Sequence, residues 1–543
     1  MKHFYTFFYL LGLLGCLTLM PACSDSNDDP VDDEPENVDD EPENEDPGET
    51  TASDDEQLNK IVHEFLGSYY LWNDEYKALT FDYTKDYQSF FYDALMSLKS
   101  NTLDRRAYIY KDENGATKTG YTLFSYIEEV PDYTSTRTTG NNLYKKEKEM
   151  SYGLLGLLPY AYKADTNPNE KNHFVRFMVK GVYPDSPADK AGIERGHFID
   201  QIDGKDIRVS NWEKYYYALM SPTEAASHTL GTRNIQSDNT LTDLTSKTIS
   251  CSPLYLNPVI KAQVETVSGH KVGYLFYSTF DGGYDEELLA ELKKFKQEGI
   301  TDLVLDLRYN LGGHVVSANL LSTCIAGAAC EGKSFAEYRF NDTRMKALGN
   351  KRKVELFGEK LSDDALKSQL ADAQLNLSNL YVLVSDETAS SSELVINSLE
   401  GIDLNVFLIG TTTRGKNVGM EIITVGKGQS TGKELKKTYE IAPITFQTYN
   451  AKGFGDYEKG FEPNLEVDEI NAFNQENMIT VYRPLGSQKE YLYGFALEQI
   501  TGETIVKRPT AETRGLGAPA LKQLALLPLP ARSERGMITR WEE

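Results

Sequence analysis

Hydrophobic positions in the second half of the chain come as short unbroken runs separated by amphipathic stretches. Val272 to Tyr277, Leu303 to Leu307, Leu380 to Val384 and Asn405 to Ile409 have strand length, while Glu286 to Gln297, His314 to Ile325 and Ser391 to Leu399 carry helical spacing between them. Strands that alternate with helices predict an α/β layer structure with parallel pairing. The glycines fall at strand ends, where such folds build their sites.

The first half reads differently. Leu58, Ile61, Val62, Phe65 and Leu66 recur at the spacing of one helix face, with Tyr69 to Trp72 as an extension, and Tyr87 to Leu98 repeats the pattern. These runs predict a small helical N-terminal domain, 57–150. From Ser151 to about Leu256 the signals are short strands and turns: Phe177 to Tyr183 as strand, ProAspSerPro at 184–187 as turn, a short helix over 188–192 stopped by glycine, then strand and tight turn from Ile199 to Gly204.

Residues 1–22 predict a secretory signal, with one early lysine and an apolar run from Phe4 to Leu19 that is too short for the ~20 residues a bilayer needs. Met20, Pro21, Ala22 and Cys23 are similar to a bacterial lipobox; Cys23 is preferred to Cys16 because polar sequence follows it directly. The expectation is an exported chain held at a membrane by lipid on Cys23. Residues 23–56 form an acidic linker in which VDDEPEN repeats in tandem, too charged to bury anything. That stretch holds seventeen Asp or Glu, so the formal charge of −26 over 543 residues falls to about −9 elsewhere. The remainder is only mildly acidic, and the absence of a basic, aromatic-interleaved patch disfavours nucleic acid as a partner. Cys251, Cys324 and Cys330 remain in the mature chain, either as buried thiols or with one bridge between Cys324 and Cys330.

Three segments carry candidate chemistry. In Leu380 to Val395 an apolar strand ends in ThrAlaSerSerSerGlu as a helix begins, which sets hydroxyls and free N–H groups together; the plain alternative is a capping box between Ser390 and Glu393. In GlyThrThrThrArgGlyLysAsnValGly, 410–419, Lys416 sits at a strand end, where desolvation lowers an amine's pKa until it can accept a serine proton. Gly410, Gly415 and Lys416 also mimic a phosphate-binding loop, but Asn417 replaces the hydroxyl residue and the alternation after it is a strand's, not a helix's. AspLeuArgTyrAsnLeuGlyGly, 306–313, ends a third strand with paired glycines able to approach a substrate. His314 follows directly and reads as a structural helix-start residue. No metal-ligand spacing is present and no cofactor is expected.

These motifs in this order, with LysGlyPheGluProAsnLeuGluVal at 459–467, resemble the tail-specific (C-terminal processing) serine proteases, peptidase family S41. ValTyrProAspSerProAlaAspLysAlaGlyIleGluArgGly, 182–196, resembles the PDZ domain that this family carries internally. The resemblance implies a multidomain α+β chain: a PDZ-like domain at 151–256, an α/β (ClpP/crotonase-like) peptidase core at 257–502 and an unassigned tail at 503–543. It implies Ser390 as nucleophile, Lys416 as general base, and an oxyanion hole from the amides of Gly312 or Gly313 with Ser391. It also implies a carboxylate loop at Gly153, Leu154, Leu155 and Gly156, hence protein or peptide substrates with free C-termini. Met420 departs from the glutamine that often orients the base, Leu311 from a proline and His197 from an aspartate. The alternative is an inactive peptide-binding protein on the same fold.

Overall fold

The computed structural model describes residues 53–111, 117–130, 144–162, 173–236, 240–351, 353–427, 431–470, 482–506, 522–523 and 537–540. The signal segment 1–22, Cys23, the linker up to residue 52 and most of the tail 503–543 lie outside them.

The alternating half folds as its pattern predicts. Val259–Val267 and His270–Tyr277 form an antiparallel pair; Asp302–Asp306, Asn379–Val384, Asn405–Gly410 and Leu465–Glu466 then add in parallel, giving one six-stranded sheet. Helices Asp285–Glu298, Val315–Ala326 and Ser391–Gly401 bury their apolar residues in one core with this sheet. Helix Tyr491–Thr501 closes the other core, together with Leu158, Tyr160, Met178 and Phe198.

Those last four residues belong to a second sheet, ordered Thr245–Ser250, Ser227–Arg233, Phe198–Ile202, Phe174–Val182, Leu154–Tyr162, with Lys522–Gln523 on the far edge. Ser186 N-caps the short helix Pro187–Lys190, its hydroxyl accepting from Asp189 N at 3.2 Å. Helix Trp212–Met220 packs against Leu154–Tyr162 and buries Trp212, Tyr216 and Leu219.

The N-terminal segment departs from expectation in three ways. The acidic linker ends at Ser53, whose side chain caps helix Asp54–Tyr69; Asp54, Asp55 and Glu56 sit in its first turn, where the helix dipole favours negative charge. That helix stops at Tyr69 because Tyr70 turns extended (φ −57°, ψ 139°) and Leu71 N donates to Ile444 O. After helix Tyr87–Ser97 and a 3-10 turn at Thr102–Asp104, the expected helical domain gives way to strands at Arg105–Lys111, Thr117–Leu123 and Tyr126–Val130.

Tyr126–Val130 joins a third sheet, ordered Lys353–Leu356, Ser334–Arg339, Ile444–Tyr449, Val418–Gly426, Thr438–Ala442, Tyr126–Val130. Its core mixes Leu58, Val62 and Leu66 of the first helix with Val418, Met420 and Ile444 of the sheet. The N-terminal segment is therefore built into the sheet that begins just beyond Lys416. Cys251, Cys324 and Cys330 are buried free thiols.

Candidate active site

The sheet's parallel strands deliver two loops to one place. After Asp302–Asp306, Asn310 donates through Nδ2 to Tyr277 O at 2.8 Å, and its Oδ1 accepts from Gly312 N at 2.9 Å. After Asn379–Val384, the turn that ends in Ser390 is tied to the first loop. Thr388 Oγ1 donates to Leu307 O (2.8 Å), Ser391 Oγ to Gly313 O (2.7 Å), Ser392 Oγ to Asn310 O (2.9 Å) and Ala389 N to Asn310 O (3.1 Å). Ser391 and Ser392 are spent on this stitching.

Ser390 is left at the N-terminus of helix Ser391–Gly401, fully buried and with φ 62°, ψ −111°, a conformation a non-glycine residue holds only when its surroundings impose it. Gly312 (φ 105°) and Gly313 (φ 136°) need their missing side chains: a Cβ on Gly312 would lie 2.9 Å from Ser390 Cβ, and one on Gly313 would lie 2.1 Å from Phe280 O. Of the two glycine amides, that of Gly312 is occupied by Asn310.

Glu393 was legible as a capping-box partner and is more than that. Its Oε2 accepts from Ser390 N (2.9 Å) and Lys416 N (2.8 Å), while Oε1 accepts from Thr413 Oγ1 and Gly415 N, both at 2.6 Å. One buried carboxylate therefore fixes both the serine turn and the lysine loop. Burial pushes its pKa up, and the same four donors oppose that.

Lys416 is 3% exposed, and its Nζ has no hydrogen-bond partner among the described residues. Nζ lies 4.1 Å from the centre of the Phe124 ring. Burial pushes its pKa down to about 7; Asp104 and Glu393 oppose this, and Arg414 and Arg106 add to it. Met420, at the position of the expected glutamine, is 1% exposed in the apolar core beside Ile444 and offers the lysine nothing polar.

His314 caps helix Val315–Ala326, accepts from Gly282 N through Nδ1 at 2.9 Å and stands 3.7 Å from Asp281. In the second sheet's domain, Gly153 precedes strand Leu154–Tyr162 and its carbonyl accepts from Tyr183 N at 2.8 Å. Lys180 crosses Gly156 so closely that a Cβ there would lie 2.8 Å from its Cδ, and its Nζ donates to Glu387 at 2.7 Å, three residues before Ser390.

A larger junction lies alongside. Arg308, fully buried, donates to Asp306 (2.7 Å), Glu469 (3.0 Å) and Glu490 (2.7 Å); Arg195 reaches the same Glu469 at 3.0 Å and Tyr309 OH at 2.9 Å. Against the effect of burial, Arg195 and Arg308 hold Glu469 below the ordinary carboxylate range. No sequence signal singled out Arg195, Glu469 or Glu490, because their proximity spans almost three hundred positions.

Residues 271–467 match the peptidase family S41 model and residues 178–226 a PDZ domain model. The chain carries a peptidase family S41 domain and a PDZ domain. The S41 segment begins at the second strand of the parallel sheet and ends after the motif at 459–467. A carboxyl-terminal-processing protease of Picosynechococcus sp. is 28% identical over 246 residues, 45% of this chain and 52% of that protein. The chloroplastic carboxyl-terminal-processing peptidase 1 of Arabidopsis thaliana is 25% identical over 266 residues, 47% and 46% of the two chains. The chain thus spans about half the length of these relatives. An S41 protease structure from Bacteroides fragilis aligns with TM-score 0.59 and 26% identity over 81% of this chain and 97% of that one.

Proposed function

We propose that this S41 chain is an exported, lipid-anchored serine endopeptidase whose nucleophile is Ser390 and whose general base is Lys416. The observation that carries this reading is the pair of amides of Ser390 and Lys416 on one Glu393 oxygen, with the lysine amine buried and without a hydrogen bond among the described residues. A neutral Lys416 takes the hydroxyl proton as Ser390 Oγ attacks a peptide carbonyl. The lysine then returns that proton to the leaving amine, and water hydrolyses the acyl-enzyme. The amides of Gly313 and Ser391 are the oxyanion donors this reading favours, since that of Gly312 is held by Asn310.

The carboxylate loop Gly153 to Gly156 would receive a substrate's C-terminus, with the chain added along residues 154–159 beside helix Trp212–Met220, short of the pairing of Lys522–Gln523 with Tyr160 and Ala161. The anchor would be Cys23 after removal of residues 1–22, at the cell envelope, facing the periplasm or the cell surface.

Cleavage of an unfolded protein with a free C-terminus, and of the same protein amidated there, tests both parts. Activity is expected to vanish in Ser390→Ala and Lys416→Arg and to fall for the amidated substrate. Equal cleavage by wild type and Ser390→Ala would overturn the nucleophile. Binding without cleavage by wild type would favour the second reading, a silent peptide-binding protein, which Met420 supports. Cys23→Ala should release the chain from the membrane fraction.

A further inference from the structure

A general base must be held as well as desolvated, and the residue the family resemblance implies for that task is replaced by Met420, which is packed in the core. The lysine amine instead faces an aromatic ring from the other side of the site. We propose that Phe124 is the positioning residue for Lys416, its ring face holding Nζ at the catalytic turn while Asp104 fixes the backbone that carries the ring. This assignment rests on Lys416 being the base.

The geometry is specific. Phe124 lies in the short connection between strands Thr117–Leu123 and Tyr126–Val130, half-buried, with Lys416 Nζ 4.1 Å from its ring centre. That distance is within the reach at which a ring quadrupole attracts an ammonium. The connection is held at both ends of Asp104: Phe124 N donates to its carbonyl at 2.8 Å, and Ser125 N donates to its Oδ1 at 2.7 Å. Oδ2 accepts from Ser125 Oγ at 2.6 Å and from Tyr70 OH at 2.7 Å, and Ser125 Oγ in turn accepts from Ile444 N at 2.9 Å. Ile444 pairs with Met420 in the neighbouring strands, so the loop bearing Phe124 is fastened beside the very residue that lacks a polar group.

The ring does two opposed things to the amine. It excludes water, which favours the neutral form, and it offers a negative face, which favours the ammonium. The charged groups around the amine come from several elements: Asp104 and Arg106 from the N-terminal segment, Arg414 from the lysine's own loop and Glu393 from the nucleophile helix. Phe124 is the contact in this set that can be altered without changing any charge. After proton transfer from Ser390, the new ammonium has the ring face to rest on, and the neutral amine is free to leave it for the serine hydroxyl.

The test reads the lysine directly. In the full-length Ser390→Ala chain, the rate at which a small acylating reagent modifies Lys416 is followed by peptide mass spectrometry from roughly pH 5 to pH 10, giving the amine's midpoint. Phe124→Leu keeps the volume and loses the ring face, so the midpoint should fall by about one pH unit; Phe124→Ala admits water, so it should rise. Para-fluoro and trifluoro phenylalanine at position 124 preserve shape and weaken the ring face stepwise, and should lower the midpoint in that order, whatever becomes of the Leu and Ala variants. In chains that retain Ser390, the acid limb of kcat should move with the midpoint while KM stays. An unchanged midpoint in the fluorinated series overturns the proposal even if the enzyme cleaves through Ser390 and Lys416. A midpoint that moves in a wild-type chain without activity would leave Phe124 in place and remove the peptidase reading instead.

Discussion

Ser390 and Lys416 are joined through their backbones before their side chains ever meet: both amides donate to Glu393 Oε2, at 2.9 and 2.8 Å. The register between the proposed nucleophile and the proposed base is thus set by a carboxylate that accepts only. Glu393→Gln keeps the shape but turns one oxygen into a donor, which must then face either the Ser390 and Lys416 amides or the Gly415 amide and Thr413 hydroxyl. Buried donors set against donors lose their partners, at about 1–3 kcal/mol for each one stranded. We expect kcat to drop by about a hundredfold or more, as when a preorganised catalytic contact is removed, with KM little changed and the thermal midpoint lowered. Steady-state kinetics with thermal unfolding check this; wild-type kcat in Glu393→Gln would show that the shared anchor is dispensable.

The junction of Arg195 with Arg308 makes the PDZ domain part of the support of the glycine loop. Arg195→Met retains the apolar stem and removes the donors to Glu469, Glu490 and Tyr309. Breaking a buried ionic network from one side costs about 3–5 kcal/mol, and the urea midpoint should fall by the corresponding amount. Arg195→Lys, which restores the charge without the planar fork, should fall between the two.

How much of this was legible follows from what each element depends on. Strands such as Leu380 to Val384 are buried on both faces, so their unbroken apolar runs announced them; the observed Asn379–Val384 differs by one residue. The third sheet was largely unread because its pairings, such as Ile441 with Ile127 and Glu337 with Tyr449, are between segments far apart in sequence. Only Val418 to Val425 showed alternation strong enough to be seen, and it sufficed to exclude a phosphate loop. At the site, Glu393 was visible as a helix cap because capping is local, whereas its bonds to Thr413, Gly415 and Lys416 are tertiary. Phe124 and Asp104 gave no signal, since nothing local distinguishes an aromatic residue that covers an amine from one that fills a core.

Gly312 isolates the effect of shape on the serine turn. Alanine there would be strained at φ 105°, and its methyl would sit 2.9 Å from Ala389 O, Ser390 Cβ and Ser391 N. The turn must shift, and a displacement of about 1 Å in a catalytic group is enough to cost a hundredfold in rate. Gly349→Ala is the control: it too has a positive φ (59°), yet nothing lies within 4 Å of the added carbon. Both variants should lose stability to backbone strain, Gly312→Ala the more because of its close contacts, but only Gly312→Ala should lose kcat.

The depressed pKa of Lys416 also makes a prediction about stability that needs no substrate. The amine titrates near 7 in the native chain and at 10.5 in an unperturbed lysine, so between these values the unfolded state binds more protons and stability rises with pH. The native state therefore carries a penalty that is greatest below pH 7 and vanishes above about 10.5; from the size of the shift it is on the order of 5 kcal/mol. Lys416→Met removes the buried amine while keeping its length. It should raise the unfolding free energy at neutral pH, and the advantage over wild type should shrink steadily as the pH is raised toward 10. Urea titrations of the two proteins at several pH values measure that difference. A constant difference across the range would mean that the amine is charged in the native state, which would count against Lys416 as the base.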